Sequence, residues 1–255
     1  MDHILTERGD GVLRIEFNRP EKKNAITAAM YGALAEALVA ADADDAVRVV
    51  LIHGKPDAFT SGNDLGDFLA NPPRDENAPT FRFLRAVSQF GKPLVAAVSG
   101  VAVGIGTTLL LHCDLVYAAG GTRFALPFVN LALVPEAASS FLLPRLAGWQ
   151  RAAELLLLGE PFSDEKAREI GLVNEIVAPE ALLDTAMAAA RKLAQKPPGA
   201  LRLTKSLMKQ GLIAEIGLAM TREGKVFAER LNAPEAKEAF NAFLEKRKPD
   251  FSRFG

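Results

Sequence analysis

The segment Ser99-Gly-Val-Ala-Val-Gly-Ile-Gly-Thr-Thr-Leu-Leu-Leu-His-Cys-Asp114 constrains this chain more than any other. It puts Gly104, Ile105 and Gly106 at the junction of an apolar strand and an apolar helix. A glycine turn at such a junction leaves backbone N–H groups unpaired, and the helix dipole adds partial positive charge there. That environment suits an anion or a developing oxyanion. A second loop, Phe59-Thr-Ser-Gly-Asn-Asp-Leu65, offers further candidate donors. Two N–H groups converging on one oxygen would make a site able to hold an enolate. The plainer reading is that Gly104 and Gly106 only allow close helix–strand packing, and no dinucleotide-binding fingerprint accompanies them.

The 255 residues suffice for one large core, or for a core with an appendage. Hydrophobic residues make up 49% and charged residues 24%, the balance of a soluble globular chain. With 30 basic and 31 acidic residues the net charge is −1, which gives no electrostatic case for nucleic acid. The lone cysteine, Cys113, excludes an intramolecular disulfide and favours a reducing compartment. The first residues lack a basic segment followed by an apolar run, and the last five carry no peroxisomal address. The most apolar stretch, residues 94–111, is broken by Ser99, Gly100, Gly104 and Gly106. A cytoplasmic protein without a membrane partner is the expectation.

Alternating segments at 4–8 and 12–18 around Asp10-Gly11 predict a hairpin. Thr27 is placed to cap a helix with Met30, Leu34 and Leu38 on its inner face. Strands are expected at 47–53, 94–98, 115–118, 122–125 and 172–177, and helices at 80–90, 137–143 and 149–158. Asp64 should cap a short helix that turns Leu65, Phe68 and Leu69 inward, and Ser163 should cap another. Residues 71–79, with prolines and no periodicity, read as a mobile loop and a candidate lid. The strand–strand–helix alternation points to a layered α/β structure. The Pro197-Pro198 pair divides it into a core at 1–196 and a helical region at 197–255.

Taken in order, these motifs resemble the enoyl-CoA hydratase/isomerase, or crotonase, superfamily over nearly the whole chain. Asn18-Arg-Pro-Glu-Lys-Lys-Asn-Ala-Ile26 is similar to its coenzyme-A-contacting segment. The loops at 59–65 and 98–106 resemble its two oxyanion loops, and residues 240–250 resemble its C-terminal helix. The resemblance implies a spiral of ββα units, a helical C-terminal trimerisation region, and a trimer or dimer of trimers. It implies an acyl-CoA thioester substrate, with coenzyme A belonging to the substrate and no separate cofactor. It puts the oxyanion donors on the backbone N–H groups of Asn63 and Ile105. Lys23, Ala25, Ser61, Gly62, Asp64, Leu65, Gly104, Phe243 and Lys246 are then the residues expected to contact coenzyme A or substrate.

The two catalytic glutamates of the family's hydratases would fall on Thr108 and Phe128, neither of them a carboxylate. Leu131-Ala-Leu-Val-Pro-Glu-Ala-Ala-Ser-Ser-Phe141 instead resembles the peroxisomal-type Δ3-Δ2-enoyl-CoA isomerases, whose proton shuttle would be Glu136 here. Its apolar neighbours should raise its pKa by desolvation. An isomerase needs one such group and no activated water. Two rivals stay open: hydration using Glu136, and a non-catalytic acyl-CoA-binding module. Plainer roles are also assigned. Asp64 reads as a helix cap, Asp114 as structural and Cys113 as a small buried residue. Lys22, Lys23 and the run Lys246-Arg-Lys248 either meet coenzyme A phosphates or are solvated. Ser139 and Ser140 either line the acyl pocket or satisfy their own helix. His3 and His53 lack metal-ligand spacing, so no metal is expected.

Overall fold

The computed structural model describes residues 2–72, 75 and 77–254. Its larger sheet begins with the hairpin β1 (Ile4–Gly9) and β2 (Val12–Phe17), which pair antiparallel. Asp10 (φ 53°) and Gly11 (φ 75°) supply the two left-handed residues of the tight turn. Strands β3 (Val49–His53), β4 (Leu94–Val98), β6 (Leu115–Ala119) and β9 (Glu175–Val177) then add in parallel, giving the order β1-β2-β3-β4-β6-β9. Every residue of β3 and β4 is buried, as expected where both faces of a parallel sheet are covered. The smaller sheet pairs β5 (Val101–Val103) with β7 (Arg123–Ala125), and β7 with β8 (Phe162–Ser163). Successive turns of the chain thus place one strand in each sheet, β4 then β5, β6 then β7.

Helices cover both faces. On one side lie α1 (Ala28–Ala43), capped by the Thr27 hydroxyl, and α3 (Pro79–Gln89). They bury Met30, Tyr31, Leu34, Phe83 and Val87 in the main core. The short α2 (Leu65–Ala70) lies between them in the chain, capped by Asp64. Across the sheet, α8 (Leu182–Ala194) packs Leu182, Ala186 and Ala190 on Val49, Leu51 and Val95. The rest are α4 (Ile105–Thr108), α5 (Ser139–Ala147), α6 (Trp149–Ala153), α7 (Asp164–Glu169, capped by Ser163), α9 (Pro198–Lys209), α10 (Ile213–Leu231) and α11 (Pro234–Leu244).

Some sequence expectations shift. Leu69 is 44% exposed: Phe68, edge-on to Phe227, and the partly buried Leu65 take the inward directions of the short α2. The helix expected from residue 137 begins at Ser139, because Ala137 and Ala138 both take left-handed backbone. Residues 154–158 continue α6 as a π turn, and the last strand shortens to Glu175–Val177. The loop expected at 71–79 falls partly on Pro73, Arg74 and Glu76, which lie outside the described residues. Among the described residues no helix is long and apolar enough to cross a membrane.

Candidate active site

The two glycine-containing loops are sewn together by backbone bonds. Thr60 N donates to Val101 O (3.1 Å) and Val103 N to Thr60 O (3.0 Å). On the other edge, Ile26 N donates to Gly62 O (2.8 Å) and Asp64 N to Ile26 O (2.9 Å). The approach is close enough to require glycine. Gly62 has φ 89°, and a Cβ there would lie 2.8 Å from Val103 O. A Cβ at Gly106 would lie 2.7 Å from Thr60 Cγ2 and 2.9 Å from Thr60 O. Fully buried Thr60 closes the seam, donating to Asn24 O and accepting from Gly62 N.

Among the described residues, neither the Asn63 nor the Ile105 amide donates to a protein acceptor. Asn63 sits between the bonded Gly62 and Asp64, and Ile105 is the first residue of α4, where helical N–H groups have no intrahelical partner. Both residues line one cavity of about 760 Å³. Ala25, Ser61, Gly62, Asp64, Leu65, Gly104 and Phe243 line it too. Lys23 and Lys246 are exposed and do not; Lys22 and Arg247 stand in the wall instead. Lys23 (φ 48°) and Lys246 (φ 55°) are themselves the left-handed turning points of their loops. Asp64 is committed elsewhere. It caps α2 through the Asp67 amide (3.0 Å) and pairs with Arg19 (2.7 Å), contacts that hold its carboxyl below the usual range.

Asn63, Phe68 and Phe227 also line an adjoining chamber of about 50 Å³ whose walls include Glu136, Tyr31, Glu223 and otherwise mainly apolar side chains. Burial pushes the Glu136 carboxyl up to about 8, a hydrogen bond from Thr108 Oγ1 (2.5 Å) opposes that rise, and the Glu223 charge adds to it. A carboxyl poised there can both take and return a proton near neutral pH. Tyr31 donates to Asn63 Oδ1 (2.5 Å), and burial, with Glu136 nearby, keeps it protonated. Phe128 lines the larger cavity.

The Glu136 turn is held from several sides. Ser139 Oγ donates to Glu136 O (2.6 Å), and His112 Nε2 lies 2.8 Å from Ala137 O. That carbonyl can only accept, so Nε2 carries the hydrogen. Burial lowers the His112 pKa to about 4, leaving a neutral ring. Ser140 and the Ala138 amide turn to Glu223. Ser139 and Ser140 therefore serve the turn and line neither cavity. Asp114 accepts from Leu94 N (2.7 Å) and Lys205 Nζ (2.6 Å), a structural tie between β4 and α9. Cys113, expected to be buried, is half-buried, but desolvation of its thiol pushes it far up, away from reactivity. Among the described residues no cluster of three metal-ligating side chains occurs. Sequence reasoning missed Tyr31, His112 and Glu223. His112 had a local signal, its place at the end of the glycine-turn helix; Glu223 had none.

The Thr108 bond makes a direct prediction. Thr108→Val keeps the shape and removes the donor that favours ionised Glu136, so the Glu136 pKa should rise. The acidic limb of the pH–rate profile should then move up by about one pH unit, since a hydrogen bond to a charged group is worth about 1.5–3 kcal/mol and one pH unit about 1.4.

Two stacked sheets wound as a spiral, with a cavity against their glycine seam, are the crotonase fold. An enoyl-CoA hydratase/isomerase crystal structure from Pseudoalteromonas atlantica T6c superimposes with TM-score 0.94 at 40% identity, covering 98% of this chain and all of the other. The family described as Enoyl-CoA hydratase/isomerase matches residues 7–253, and the chain belongs to this family of acyl-CoA enzymes. Escherichia coli 1,2-epoxyphenylacetyl-CoA isomerase is 36% identical over 99% of both chains. Human enoyl-CoA delta isomerase 2 is 35% identical over 96% of this chain and 64% of its own length.

Proposed function

We propose that this enzyme moves the double bond of a 3-enoyl-CoA to the 2-position. The observation that carries the reading is the placement of Glu136: a half-buried residue whose desolvated carboxyl has a pKa of about 8, on the wall of a chamber that shares Asn63, Phe68 and Phe227 with the cavity of the Asn63 and Ile105 amides. The two N–H groups hold the thioester oxygen as charge develops, worth roughly 3–4 kcal/mol per donor by analogy with other oxyanion holes. Glu136 removes a C2 proton, giving a dienolate, and returns it at C4. The double bond ends conjugated with the thioester, and the carboxylate is regenerated. Thr108 and Phe128 supply no second acid to direct a water. The name of the human relative supports the same reaction class.

Coenzyme A is part of the substrate in this reading. Its phosphates are expected near Lys22 and Arg247 on the cavity wall, with Lys23 and Lys246 reaching them from the loops beside it. The working assembly is a homotrimer or a dimer of trimers in the cytoplasm, with residues 197–255 as the trimerisation region; light scattering reads its mass. The reaction is tested by supplying a 3-enoyl-CoA and a 2-enoyl-CoA in parallel and identifying the products. Conversion of the first to the 2-enoyl isomer should far outpace hydration of the second. Formation of 3-hydroxyacyl-CoA at a matching rate would establish the hydratase reading instead, and no turnover of either would leave a binding module.

A further inference from the structure

The turn that carries Glu136 is gripped by a side chain 85 residues further along the chain. Glu223, on α10 and only 7% exposed, reaches the start of α5. Its Oε2 accepts from Ala138 N at 2.7 Å, and its Oε1 accepts from Ser140 N at 2.9 Å and Ser140 Oγ at 2.5 Å. The two amides belong to the first turn of α5, where N–H groups lack helical partners. Ala138 stands at the cap position and has no side chain to satisfy them. Glu223 does so from another helix, with its negative charge toward the positive end of α5.

The grip matters because the turn is strained. Ala137 and Ala138 both have φ 57°. Left-handed backbone costs a non-glycine residue about 1–2 kcal/mol, and it persists only where its surroundings over-determine it. His112 holds the Ala137 carbonyl and Glu223 the amides of Ala138 and Ser140, so the turn has one arrangement.

We propose that Glu223 is a positioning residue for Glu136: its carboxylate locks the 137–140 turn and so aims the Glu136 carboxyl into the chamber that both line. The proposal rests on the reading of Glu136 as the proton carrier. Three donors from the turn bond the two Glu223 oxygens, which fixes the carboxylate toward the 138–140 backbone. Thr108 from α4, Tyr31 from α1 and Glu223 from α10 are the polar groups facing or acting on Glu136; Ser140 and Arg222 act on Glu223, and His112 is neutral.

Glu223→Gln tests this. The amide retains one acceptor but sets an N–H₂ against an N–H of the turn. We expect kcat to fall about 10- to 100-fold, the scale of a small misplacement of a reacting group, with KM changed less than about threefold. Loss of the neighbouring charge should also move the acidic limb of the pH–rate profile to lower pH. Glu223→Asp keeps the charge but shortens the reach, so kcat should fall with the limb in place. Ser140→Ala, which removes only the hydroxyl bond, should lower kcat about two- to fivefold, and it serves if the others fail to fold. Folded variants with unchanged kcat and an unmoved limb overturn the proposal, as does full activity of Ser140→Ala when the Glu223 variants do not fold. Near-normal turnover by Glu136→Gln would instead overturn the reading beneath it.

Discussion

Glu136→Gln should leave a folded protein that binds acyl-CoA and turns it over about 10²- to 10⁴-fold more slowly, the usual contribution of a positioned acid–base group. The amide oxygen can still accept from Thr108, so the local geometry survives. What is lost is the proposed proton carrier. The same substitution should stabilise the fold, with a definite pH dependence. The carboxyl has a pKa of about 8 in the folded chain against an ordinary 4.5. Between these values the native state holds a proton that the unfolded state has released. Stability from this group is therefore full below about 4.5 and is lost as pH rises toward 8. A glutamine carries no such liability. Its advantage over the parent should be small at pH 5, and at pH 8 it should reach a few kcal/mol, because each pH unit climbed between the two values removes about 1.4 kcal/mol from the parent. Thermal unfolding of both proteins at the two pH values checks this. A variant less stable than the parent at pH 8 would contradict the desolvated carboxyl.

Gly62→Ala should damage the site severely. The methyl group would meet Val103 O at 2.8 Å, and φ 89° is unfavourable for any L side chain. The neighbouring atom is backbone and cannot swing aside. Relief must come from separating the two loops, which displaces the Asn63 amide relative to that of Ile105. Loss of one oxyanion donor costs about 10²- to 10³-fold, so kcat/KM should fall by at least about 100-fold. A drop in melting temperature should accompany it. Gly217→Ala is the matching control. That glycine lies exposed within α10 with nothing near its missing Cβ, so alanine should stabilise the helix by about 0.5–1 kcal/mol and leave kcat/KM unchanged.

What the sequence revealed divides along physical lines. The glycine turn and the 59–65 loop announce themselves because each is a short run whose chemistry depends on adjacent residues, whereas Glu136 is legible only through the family resemblance, since after Pro135 it reads by itself as an ordinary first-turn helix glutamate. The Tyr31–Asn63 and Glu223–Ala138 contacts join residues 32 and 85 positions apart, and no local pattern marks them. Ala137 and Ala138 are strong helix formers, yet they take left-handed backbone because Glu223 and His112 outweigh propensity. Of the basic runs Lys22-Lys23 and Lys246-Arg-Lys248, the cavity wall takes Lys22 and Arg247, beside left-handed turns at Lys23 and Lys246. The division at residue 197 also separates partners that meet in space: Glu223, Phe227, Phe240 and Phe243 of the helical part complete cavities begun by the sheets.

The glycine seam has a consequence for how such a scaffold changes its chemistry. In the proposed reading the groups offered to the thioester oxygen are main-chain atoms, which persist whatever side chain occupies positions 63 or 105. The acids around them are ordinary side chains, each replaceable by mutation of a single codon. A carboxylate introduced at Thr108, beside the existing one, would rewrite which bond is made without rebuilding what receives the thioester. The frame and the reaction are thus inherited separately.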